Sequence, residues 1–151
     1  MRQAVWDHEH VMIGGSDAGA HLDRMAGASY PTEWLADCLR GQQLAPLERA
    51  VAEMTDVPAR YFGLVGRGQI AEGFHADLVL FDPETVGAGG LRLQHDLPGE
   101  SPRLYSAAEG IHKVFVNGVL AVDGENATGA LPGVVLRSGS HTETVPVTED
   151  A

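Results

Sequence analysis

Val11-Met12-Ile13-Gly14-Gly15-Ser16-Asp17-Ala18-Gly19-Ala20-His21 is the stretch whose reading decides the fold. Its first three residues form a continuous apolar run, the pattern of a short strand buried on both faces in a parallel sheet. The run stops at a glycine pair, and Ser16 and Asp17 follow at the C-terminal end of the expected strand. In α/β barrels those strand ends supply catalytic groups, because the loops there converge on one mouth. An aspartate in such a place binds a metal or takes a proton from metal-bound water, two roles a carboxylate performs near neutral pH. The glycine-rich surroundings are also those of a turn or capping aspartate. A lone parallel strand cannot bury two faces by itself, so the sequence reads as a piece of something larger.

Downstream of this stretch, residues 30 to 63 carry helical signals. Pro31 suits a first helical turn, Glu33 sits near the positive end of the dipole and Gly41 is a natural stop. Trp34, Leu35, Cys38 and Leu39 then share one face. A second helix opens at Pro46 and spaces Leu47, Ala50, Val51 and Met54 along one stripe. Asp56 is placed to cap a third short turn that runs through Pro58 to Phe62 and closes at Gly63.

From residue 64 to 123 the pattern is that of strands. Leu78-Val79-Leu80-Phe81 is a strand stopped by Asp82-Pro83. Ile111 to Val116 and Val119 to Val122 flank Asn117-Gly118, a strong hairpin signal because a type I′ turn needs positive φ at both positions. Residues 84 to 106, rich in Gly, Pro and charge, read as a long loop, and Ser138 to Ala151 reads as a flexible tail. The domain expectation is therefore an α/β portion over 1–63, part of a β domain over 64–137, and a tail over 138–151.

Composition bounds the function class. With 151 residues, 44% of them apolar and 21% charged, the chain can form a real core. A formal net charge of −11 argues against nucleic acid or an anionic membrane as partner, since both need a positive face. Cys38 is the only cysteine, so neither an intramolecular disulfide nor a multi-cysteine zinc cluster can form, which suits a cytoplasmic location. No stretch approaches the ~20 apolar residues of a membrane span. Met1 to His10 is too polar for a signal peptide, a reading that holds if Met1 is the natural start.

Other candidate residues weigh less. Ser16, Asp17 and His21 invite a nucleophile–base–acid reading, but neighbouring strand residues point to opposite faces and triads draw on distant segments. His8-Glu9-His10 offers a metal-ligand spacing, yet it precedes the expected strand and so falls at the wrong end of a barrel, as a solvated loop. His21 either lines the mouth or braces the loop. The glycines of Gly63 to Gly68 and Gly87 to Gly90 lack the strand–glycine–helix context of a nucleotide loop and read as turn glycines. Cys38, on a helical face with Trp34 and Leu35, reads as a buried core thiol.

The stretch from Val11 to His21 closely resembles the last-barrel-strand motif of D-aminoacylase-like amidohydrolases, the N-acyl-D-amino-acid deacylase type. The resemblance continues through Pro58-Ala59-Arg60-Tyr61-Phe62-Gly63-Leu64 and Arg67-Gly68-Gln69-Ile70-Ala71-Glu72-Gly73-Phe74-His75-Ala76-Asp77-Leu78-Val79. His95-Asp96-Leu97-Pro98 and Thr128-Gly129-Ala130-Leu131-Pro132-Gly133 complete it, in the same order as in the family, over residues 5 to 137.

That resemblance implies α/β plus β: the last strand and helices of a (β/α)8 metal-dependent hydrolase barrel, followed by part of the small β-sandwich built from both chain ends. It implies one or two zinc ions and hydrolysis of a small-molecule amide. Asp17 would be the catalytic general base beside the metal and a candidate metal ligand, with His21 a candidate in the substrate loop. The family's His-x-His pair, its two further histidines and its bridging cysteine or modified lysine have no counterpart here. The first strands of the sandwich are also missing. An isolated chain is therefore expected to be inactive, to lack zinc, and to associate with itself or with the missing barrel segment. Two other readings are a cyclic-amide, hydantoinase-like hydrolase and a non-catalytic β module that binds a partner chain. The Gly-Ala-His loop after Asp17 favours the deacylase.

Overall fold

The structure is a computed structural model in which residues 2–8 and 11–146 are described. Helices fill the first half: α1 (Arg2–Trp6), α2 (Tyr30–Leu39), α3 (Leu47–Ala52) and α4 (Asp56–Tyr61). The apolar stripe of α2 buries Trp34, Leu35 and Cys38 against Ala50 of α3 and against Val86, which is fully buried. Half-buried Trp6, Ile13, Met54, Phe81 and Ile111 pack round this cluster. The Trp34 indole N–H donates to the Ala50 carbonyl at 3.0 Å, and the Trp6 ring meets Trp34 edge-on at 5.5 Å. Arg49 ties α3 to the chain after α1, with its guanidinium 2.6 Å from Asp7 and 2.5 Å from the Trp6 carbonyl. Pro46 begins α3, as its sequence suggests.

α4 begins differently from expectation. Thr55 occupies the cap position and makes no side-chain capping bond, while Asp56 lies inside the first turn. There the carboxylate has better partners than backbone N–H: Arg60 one turn on, at 2.8 Å, and the Gln69 amide at 2.7 Å. The other end is as expected. Gly63 N–H bonds the Arg60 carbonyl and Leu64 N–H the Ala59 carbonyl, the paired bonds that close a helix on a left-handed residue.

The second half is antiparallel. β1 (Leu78–Phe81), β6 (Ile111–Val116), β7 (Val119–Asp123) and β8 (Asn126–Ala127) form one sheet in the order β1-β6-β7-β8. β2 (Gly87–Ala88) pairs with β5 (Ala108–Glu109), and β3 (Arg92–Leu97) pairs with β4 (Ser101–Tyr105). Val116 faces Val119 across a two-residue turn in which Asn117 has φ 47° and Gly118 φ 79°, the conformation the Asn-Gly pair favours. β1 ends where Asp82 accepts the Glu84 N–H at 2.9 Å and the Thr85 hydroxyl at 3.0 Å. The hydrogen bonds from Glu84 and Thr85 hold the Asp82 carboxyl below the usual carboxylate range.

Two further expectations are corrected. Val11–Ile13 is half-buried and forms no strand, because no described segment offers it a ladder partner; only Ile13 reaches the core. Residues 84 to 106 are not a long loop but contain β2 and the whole β3–β4 hairpin. Pro98 and Gly99 form its turn with Glu100, where Gly99 and Glu100 have positive φ. Its charges pair across the strands: Arg103 grips Asp96 with two bonds, 2.7 and 2.8 Å, and both Arg92 and Arg103 lie 5.0 Å from the Tyr105 ring. Residues 141–143, within the expected tail from 138, lie at α4's exit. There Thr142 bridges Leu64, Val65 N–H bonds the His141 carbonyl at 3.0 Å, and Glu143 N–H bonds the Gly63 carbonyl at 2.8 Å. Residues 147–151 lie outside the described range. No described helix is long and apolar enough to cross a membrane.

Candidate functional site

Asp17 sits in a loop that doubles back as soon as it leaves the apolar run. Ser16 Oγ accepts the Ala18 N–H at 3.2 Å, and the Asp17 carbonyl accepts the Ala20 N–H at 3.0 Å. His21, with φ 46°, offers its carbonyl to both Arg24 N–H and Met25 N–H, at 2.8 and 2.9 Å. The chain then returns so closely that a Cβ on Gly27 would stand 3.3 Å from the Ala18 nitrogen. Among the described residues, one backbone bond holds this loop to the β half: Leu104 N–H, on β4, donates to the Leu22 carbonyl at 2.8 Å.

Asp17 and His21 are both exposed. Among the described residues none hydrogen-bonds the Asp17 carboxylate, and Asp17 caps no helix; the residue preceding α2 is Ser29. The expected strand before Asp17 is absent, so Asp17 follows a half-buried segment and no ladder. No described contact joins Ser16 to His21, and Ser16 Oγ serves its own turn. His8 lies in the turn after α1, where its carbonyl accepts the Val11 N–H, and Glu9 and His10 fall outside the described residues.

The metal chemistry implied by the family resemblance meets a plain test. Among the described residues no three His, Cys, Asp or Glu side chains come together as a ligand set. A catalytic zinc usually takes three protein ligands and a water, so these residues do not fit one unaided. Cys38 is no ligand either: it is 3% exposed in the helical core, and burial pushes its thiol up to about 11. A cavity of about 770 Å³ lies elsewhere, between the helices and the sheet. Leu35, Met54, Phe81 and Ile111 line it, and neither Asp17 nor His21 reaches it. Its lining is mainly apolar, with Gln69, Asp77 and Glu125 also on it, and among the described residues no ligand set gathers there.

The Leu22–Leu104 bond was not foreseen from the sequence. A backbone bond between segments so far apart leaves no mark on residue type.

Comparisons with known proteins bear on the same region. The model of the family described as "Amidohydrolase family" matches residues 2–121. D-aminoacylase of Alcaligenes xylosoxydans xylosoxydans is 41% identical over 128 residues, covering 81% of this chain and 24% of that protein. N-acyl-D-glutamate deacylase of the same organism is 38% identical over 135 residues, 88% of this chain and 25% of the relative. Its N-acyl-D-aspartate deacylase is 38% identical over 116 residues, 73% and 22%. The crystal structure of D-aminoacylase superposes with a TM-score of 0.53 at 38% identity, over 66% of this chain and 19% of that one. A second structure with the same figures was solved to study the binuclear metal centre of D-aminoacylase. The chain thus spans about a quarter of the length of the curated relatives it matches.

Proposed function

The chain belongs to the amidohydrolase family, and on that premise we propose that it is the C-terminal part of a zinc-dependent enzyme hydrolysing N-acyl-D-amino acids or similar linear amides. In this reading residues 1–63 end a (β/α)8 barrel, and 64–137 contribute to a composite β-sandwich. Val11–Ile13 becomes the last barrel strand once neighbouring strands are present to pair with it. The observation that carries the proposal is Asp17: an exposed carboxylate without a described hydrogen-bond partner, directly after the apolar run, within the matched region.

Asp17 acts as general base. As the oxygen of water bonds to the amide carbon, its proton passes to the Asp17 carboxylate. The same proton then goes to the nitrogen as the C–N bond breaks, releasing a carboxylic acid, which passes its proton to the freed amine to leave a carboxylate and an ammonium. His21, on the same exposed loop, faces the substrate. Zinc would be held by ligands from other parts of the complete protein, with Asp17 as one candidate donor. Expressed alone, the chain is inactive and self-associates. Its sheet edge β1 carries Leu78, Val79 and Leu80, each more than a third exposed, with hydrogen-bonding groups open on one side.

The complete protein, assayed on N-acyl-D-amino acids, their L enantiomers and a cyclic amide, tests the proposal. Hydrolysis of the D compounds is expected. Turnover of the cyclic amide alone would favour the hydantoinase-like reading, and no turnover with no bound metal would favour a non-catalytic β module. Light scattering on the isolated chain tests the rest: a clean monomer with a cooperative melt would contradict its incompleteness.

A further inference from the structure

We propose that the β3–β4 hairpin is a positioning element for Asp17, acting through the backbone N–H of Leu104. The inference rests on the reading of Asp17 as general base. Most of the hydrogen bonds of the 16–27 loop are internal, as are those of Ser16, Asp17 and His21. Such a loop keeps its shape, but nothing in it fixes where that shape sits. Among the described residues, the bond from Leu104 to the Leu22 carbonyl is the backbone bond that does so. Leu22 is half-buried while His21 and Asp23 on either side are exposed, as befits the anchored point of an otherwise free loop.

The register of the hairpin explains why Leu104 has an N–H to give. Arg92 faces Tyr105, Leu93 faces Leu104 and Gln94 faces Arg103. Facing residues in an antiparallel pair alternate between exchanging both ladder bonds and exchanging none. Leu104 gives its N–H away from β3, so Leu93 and Leu104 are the pair without ladder bonds. The hairpin itself is stiffened by side chains. Arg103 holds Asp96 by two bonds of 2.7 and 2.8 Å, which keeps that carboxyl below its usual range. The His95 ring nitrogen Nδ1 lies 3.0 Å from the Glu100 carbonyl across the turn. His95 and Asp96 belong to the His95-Asp96-Leu97-Pro98 block, which the reaction itself does not use. Their role here is to present a rigid edge to the loop that carries the base.

Leu104→Pro in the complete enzyme tests this, because proline removes the outward N–H and no ladder bond of the hairpin. A misplacement of about 1 Å in a reacting group costs on the order of 10²-fold in rate. We therefore expect kcat to fall roughly 10- to 100-fold with KM changed less than about threefold. Hydrogen exchange over residues 17–25 should quicken in step. Leu104→Ala, which keeps the donor, should recover most of kcat and the slow exchange. In an Asp17→Asn background Leu104→Pro should cost nothing further, since both act through one group. If Leu104→Pro does not fold, Arg103→Ala serves instead, with a few-fold loss in kcat and the same faster exchange. Unchanged kcat and exchange in the folded variant, beside an inactive Asp17→Asn, would overturn the hairpin's role alone. Normal kcat in Asp17→Asn would overturn the base reading and this role with it.

Discussion

Alanine at Gly110 and alanine at Gly118 should have different costs, although both glycines have left-handed backbones, with φ of 66° and 79°. At Gly118 the new Cβ meets only the Ala76 Cβ, at 3.9 Å, an ordinary contact. The cost there is the left-handed penalty of ~1–2 kcal/mol, offset by ~0.4–1 kcal/mol from the stiffer unfolded chain. A net loss of about 1 kcal/mol follows. At Gly110 the Cβ would stand 2.5 Å from the Val86 nitrogen and 2.7 Å from the Thr85 carbonyl carbon, so backbone must move. That backbone is poorly placed to yield. Val86 N–H is bonded to the Asp82 carbonyl at 2.8 Å, its carbonyl accepts from Arg40, and its side chain is fully buried. Overpacking of this kind adds ~1–3 kcal/mol, for a total of about 2–4 kcal/mol. Urea denaturation of both variants in the same host protein reads the difference directly, because shared contributions cancel. Equal midpoints would show that the β5–β6 corner does not press on the Val86 segment, and the packing described here would be wrong.

Other outcomes follow from the same structure. Asp77→Ala should destabilise by about 1–3 kcal/mol in a melt, because Arg67, with a side chain 12% exposed, loses its carboxylate partner and keeps only the Asn117 side-chain oxygen, while the Asn117 N–H loses its acceptor. Gly118→Val should cost more than Gly118→Ala, since a β-branched residue resists positive φ; an unchanged melt would contradict the turn. Cys38 should resist thiol reagents at pH 8 in the native state and react at once on unfolding, as followed by mass spectrometry. Its raised thiol also gives a pH dependence. The unfolded chain loses its proton first, near the ordinary 9.0, so stability should fall as pH rises from there towards 11, by at most ~1.4 kcal/mol per unit. The Cys38→Ala variant should lack that fall.

What could be read in advance was local chemistry. Pro31, Gly41 and the Trp34–Leu35–Cys38 face specify α2, and Asn117-Gly118 specifies its hairpin, because turn and stripe are written in neighbouring residues. What could not be read depends on partners far away in sequence. Val11–Ile13 has the composition of a strand, but a strand exists only with a ladder, and no described segment supplies one. The β3–β4 hairpin was hidden because Arg92, Arg103, Asp96 and Tyr105 stabilise it across strands without hydrophobic alternation. α1 carries no capping signal, and its place is set by Trp6 against Trp34 and by Arg49. At the site, Asp17 stood out by its apolar approach and glycine setting, while Leu104 could only be found in three dimensions.

The central claim is that Asp17 is the general base of an amide hydrolase, and one substitution addresses it most directly. Asp17→Asn in the complete protein preserves the shape of the side chain and removes its capacity to accept a proton. The measurement is kcat for an N-acyl-D-amino acid, on enzyme whose metal content and melting curve match the parent. A fall of at least ~10²-fold is expected. A well-folded, fully metallated Asp17→Asn enzyme with near-normal kcat would contradict the account.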